Sequence, residues 1–70
     1  MSGHDSALQD VRDEFSRMRA HLFEMIEAGG FAERQETGLK GLIRTITYDS
    51  QASVEAALRR RANHAGHTTQ

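Results

Sequence analysis

Seventy residues with a formal charge of −1 and no cysteine make one domain at most, and a domain of that size removes only a little over half of its unfolded surface from water. The composition excludes a disulfide framework and a thiolate-based zinc site, and the near-neutral charge argues against the general basic field that drives non-specific nucleic-acid binding. What remains to steady so small a scaffold is oligomerisation or docking on a larger partner.

The opening Met1-Ser2-Gly3-His4-Asp5 has no basic stretch followed by an apolar run. No apolar run is long enough to span a bilayer, so the expectation is a cytoplasmic protein with no membrane partner. A first helix is expected from about Ser6 to Ala28. Ser6 followed by Gln9 has the form of a capping box, and Asp10, Asp13 and Glu14 in the opening turns suit the positive end of the helix dipole. Leu8, Val11, Phe15, Met18, Leu22 and Met25 alternate at three and four residues, which draws one apolar line along a helix and marks it as a self-association or partner face. With Leu8 at an a position, Glu14 falls at g and Arg19 at e, a placement compatible with an ion pair to a parallel neighbour. Phe23 and Ile26 widen the later half of the stripe. Gly29-Gly30 ends the helix, because glycine adopts the left-handed turn of a C-terminus at least strain.

The second half reads in more than one way. Leu39, Leu42, Ile43, Ile46, Val54, Ala57 and Leu58 keep a helical period from Ala32 to about Ala62, giving a hairpin of two long helices. Thr45-Ile46-Thr47-Tyr48, rich in β-branched and aromatic residues, favours a break instead, with Asp49 or Ser50 capping a third helix. A short strand over 42–48 is a lesser alternative that needs a partner from another chain. The expected fold is all-α, a helical hairpin or three-helix unit completed by dimerisation, with the three-helix version preferred. Residues 1–62 form the domain, and 63–70, poor in apolar residues, read as a flexible tail.

Two segments resemble nucleic-acid-binding elements. Asp49 to Arg60 resembles the turn and recognition helix of bacterial helix-turn-helix regulators. That resemblance implies Gln51, Ala52, Ser53 and Glu55 towards the bases, with Arg59, Arg60 and Arg61 near phosphates. The turn lacks its usual glycine, and Asp49 and Glu55 bring negative charge towards DNA. Gly38-Leu39-Lys40-Gly41 resembles the backbone clamp of KH domains but lacks the strand that precedes it there. His64 and His67 have no following carboxylate to complete a metal site, and His21 and Glu24 lie off the stripe, so no metal or other cofactor is expected.

Too few large apolar residues are present to enclose a catalytic pocket, so neither an enzyme nor a small-molecule substrate is expected. Acidic residues near one end of the sequence and Arg59-Arg60-Arg61 near the other suggest antiparallel or head-to-tail self-association. The leading expectation is a non-enzymatic helical interaction protein, either a homodimer or docked on a larger protein, of the kind common among small regulators and phage or plasmid accessory factors. The alternative is a dimeric DNA-binding regulator using residues 50–61.

Overall fold

A computed structural model describes residues 3–68, with side chains from 6 to 63, as two α-helices, α1 (Gly3–Ala28) and α2 (Glu33–Thr68). The chain is an all-α helical hairpin, and the described residues contain no strand. Helix α1 begins before Ser6, so the capping box expected there does not form. Gln9 instead donates from Nε2 to Asp13 Oδ1 at 2.9 Å along the exposed surface.

The turn at 29–32 follows from its glycines. The Gly29 amide donates to the Ile26 carbonyl at 3.1 Å, and Gly30 has φ of 72°, the left-handed region. A Cβ on Gly29 would stand 2.6 Å from Cε2 of Phe31, whose ring covers the turn. Gly30→Ala is expected to lower stability by about 1–2 kcal/mol through backbone strain alone, read as a lower midpoint of thermal unfolding.

Helix α2 starts on half a capping box. The Ala32 carbonyl accepts the Glu36 amide at 2.9 Å, and Gln35 Oε1 accepts the Ala32 amide at 3.3 Å. Alanine has no side-chain oxygen to return the bond to the first turn. Ala32→Ser supplies it, and thermal unfolding should show a gain of about 0.5–2 kcal/mol.

Helix α2 runs through Thr45-Ile46-Thr47-Tyr48 without the expected break, and neither Asp49 nor Ser50 starts a new helix. Thr47 Oγ1 donates back to the Ile43 carbonyl at 2.7 Å, so the hydroxyl is satisfied inside the helix. Contacts with α1 hold the same residues in place: Arg19 Nη1 lies 3.4 Å from Thr47 Oγ1, and the Arg19 guanidinium sits 3.7 Å over the Tyr48 ring. Tertiary contact outweighs a modest loss of helix propensity here. The helix also continues past Ala62 to Thr68, through most of the segment that composition marks as a tail.

The two helices meet in antiparallel register, with Arg12 against Glu55, Arg19 against Thr47 and Gln51, and Glu27 against Lys40. The seam is thin. Leu8 is the one buried apolar residue among those described, and no described side chain is fully enclosed. The Cα trace measures 58 × 17 × 11 Å, and a second helix layer would add 8–10 Å to the smallest dimension. The hairpin is therefore a single layer, whereas a stable domain ordinarily packs two.

Candidate functional site

The helical repeat of 100° per residue divides the hairpin into two unlike faces. One carries the polar clasp. Glu55, buried on α2, accepts Arg12 Nη2 at 3.1 Å and Arg59 Nη2 at 3.2 Å on one oxygen, and Gln51 Nε2 at 2.9 Å on the other. Gln51 Oε1 in turn accepts Arg19 Nη1 at 3.0 Å. Further towards the turn, Lys40 Nζ bridges Glu27 at 2.7 Å and Glu36 at 3.0 Å, while the Arg44 guanidinium lies 5.8 Å from the centre of the Phe23 ring.

These bonds set the charge states. Hydrogen bonding from Arg12, then from Gln51, holds the Glu55 carboxyl below its ordinary 4.5 against the opposing effect of desolvation. The carboxylates of Glu27 and Glu36 raise Lys40. Because the folded state favours ionised Glu55, its contribution to stability is complete above pH 4.5 and is lost as pH falls from there through the folded value. The midpoint of thermal unfolding should fall in that acid range, and Glu55→Gln should flatten that part of the profile.

The other face is apolar and open. Leu22, Met25 and Ile26 of α1, Phe31 of the turn, and Leu39, Leu42 and Ile43 of α2 line a shallow cleft of about 390 Å³ near the turn. Phe31, Leu39 and Leu42 continue into a second cleft with Gln35 and Gly38. Met25 is 57% exposed, Leu42 55% and Ile46 51%. On α2 the spacing 39, 42, 43, 46 is a stripe of i, i+3, i+4, i+7. Ser50, Val54 and Ala57 extend it towards the open end.

The stripe expected on α1 is thus divided between two directions. Leu8 is buried against α2, and Val11, Phe15 and Leu22 are half-buried, while Met18 and Met25 face outward and are exposed. A second line, Leu8, Arg12, Phe15, Arg19, Leu22 and Ile26, has the same three-four spacing and follows the seam, with arginines at two of its positions. In the sequence those arginines disguise the line as surface. Arg19 is buried beneath Tyr48 rather than offered to a neighbouring chain, and Glu14 pairs with Arg17 on its own helix.

The helix-turn-helix geometry is not formed, because residues 47–49 are helical and Gln51 binds Arg19 across the seam and Glu55 on its own helix. Arg59 binds Glu55, while Ser53, Arg60 and Arg61 are exposed. Gly38-Leu39-Lys40-Gly41 lies inside α2 and forms no loop. The hairpin also brings the acidic stretch at 10–14 and the basic run Arg59-Arg60-Arg61 to the same end, with Arg12 and Arg59 meeting on Glu55.

His21 is exposed, and the side chains of His4, Asp5, His64 and His67 lie outside those described. Among the described residues, no three His, Asp or Glu side chains converge as a metal site would require, and no helix is long and apolar enough to cross a membrane. Searches of protein-family models, curated proteins and solved structures find no match to this chain.

Proposed function

We propose that the chain is a non-enzymatic interaction module whose open apolar face packs against further helices, completing a fold that the hairpin leaves one layer thick. The observation that carries this reading is the combination of an exposed Met25–Leu42–Ile46 surface with the absence of any fully enclosed side chain among those described. A compact monomer of 7.8 kDa exposes about 4,400 Å², whereas this chain exposes 5375 Å². Its radius of gyration, 16.6 Å, compares with about 11 Å for a compact domain of this length. The excess surface, roughly 1,000 Å², is close to what one partner contributes to a standard protein interface.

The polar clasp gives the hairpin its own register, so the apolar face is presented as a preformed surface. Small regulators and accessory proteins act in this way, by occupying or bridging other chains. The test is sedimentation of the purified chain at micromolar concentration. An associated species that Met25→Asp dissociates while the helices stay folded supports the reading, and a strictly monomeric, folded species indifferent to Met25→Asp contradicts it.

A further inference from the structure

Resting on that reading, we infer that the occupant of the apolar face is a second copy of this chain, stacked face to face with both turns at the same end. Three observations carry it. The face runs along both helices from the turn to Val11 on α1 and Ala57 on α2, so an identical single layer covers it and makes the two layers a helical domain needs. The excess of exposed surface matches one side of a standard interface. The turn-end cleft is lined by apolar side chains and Gly29 alone, so copies related by a two-fold axis meet there without opposing like charges.

The orientation follows from how apolar surface is distributed along the face. Bulk is concentrated in the turn half, at Met25, Phe31, Leu42 and Ile46. Met18 lies at mid-length, and the open half beyond it offers Val11 on α1 and, on α2, the small residues Ser50 and Ala57 around Val54. A two-fold axis along the long direction sets turn half on turn half and lays α1 of one copy over α2 of the other. Met25 then packs over the opposing α2 stripe, and all neighbouring helices are antiparallel. The end-to-end reversed stack would set this bulk against serine and alanine, leaving much of it in water. Charge does not oppose the choice, because acidic and basic residues are mixed at both ends, as the Glu27–Lys40 and Arg59–Glu55 pairs illustrate.

The chain has no cysteine, so single cysteines can be placed and spin-labelled without background. Arg34→Cys, exposed at the start of α2, and Asp10→Cys, exposed near the open end, both lie off the apolar face. Pulsed dipolar spectroscopy on each labelled variant should give an intermolecular distance under roughly 30 Å, set by a bundle two helix diameters wide with its label tethers. A mixture of the two variants should add a longer distance of roughly 40–45 Å, because Asp10 lies level with about residue 57, roughly 35 Å along α2 from Arg34 at about 1.5 Å per residue. Glu24→Cys, exposed on α1, repeats the turn-end measurement independently of the first turn of α2.

A dimer with long distances in the single variants and a short one in the mixture overturns the orientation and leaves the open-face reading standing. A folded monomer without dipolar coupling overturns the second copy as occupant and removes self-association from the reading. A dimer unchanged by Leu42→Asp overturns this face as the interface, and with it both conclusions.

Discussion

Met25→Asp and Leu42→Asp should each weaken self-association at least a hundredfold and lower helicity at micromolar concentration. In an isolated hairpin both residues are more than half exposed, and substitutions at such positions ordinarily change stability within about 0.5 kcal/mol. Against a second helix layer the same change removes an apolar side chain and places a carboxylate in a desolvated seam. A twofold dimer suffers it twice. About 3 kcal/mol suffices for a hundredfold change in dissociation constant, and an uncompensated buried charge alone reaches that size. Thr45→Asp, exposed on the same helix but off the stripe, serves as the control and should leave association unchanged. The comparison separates loss of the apolar face from a general effect of negative charge on α2.

Arg19→Ala attacks the hairpin rather than the face, and is expected to lower stability by about 2–4 kcal/mol, combining a lost charge-assisted hydrogen bond with a lost cation–π contact. The side chain is buried, stacks on Tyr48 and donates to Gln51 Oε1 at 3.0 Å. No carboxylate of a described residue forms an ion pair with it. Its removal leaves a hole at mid-seam and takes from Gln51 its cross-helix donor. Arg19→Lys keeps the charge but not the planar stack or the forked donors, and should fall between wild type and alanine. Chemical denaturation at fixed protein concentration reads this directly.

Why the sequence reveals some of this and hides the rest is clear from individual residues. Gly29-Gly30 is legible because one left-handed residue is needed to turn the chain, and the structure puts it at Gly30. The apolar periods of both helices are legible for the same local reason. Continuity through Thr45–Tyr48 is not, because it depends on Arg19, twenty-eight positions from Thr47, reaching across to its hydroxyl and to Tyr48. The division of the α1 stripe is hidden too. Leu8 and Met25 share one three-four line, but whether each faces α2 or solvent is decided by where α2 lies. Polar residues at seam positions mislead most, since Arg12, Arg19, Gln51 and Glu55 look like surface in a list of letters and satisfy one another only once the hairpin closes. The likeness of Asp49–Arg60 to a recognition helix fails on that point, as Gln51 and Glu55 are committed to the seam.

Completion of the hairpin by a second copy makes thermal unfolding depend on protein concentration. A monomeric hairpin unfolds at a temperature independent of concentration, whereas a fold completed by a second copy gains from mass action. Over a hundredfold range of concentration, circular dichroism should show the midpoint rising by about 5–10 °C, from the linkage free energy and the unfolding entropy of chains this size. A midpoint that stays constant over that range would contradict completion of the fold by a second copy.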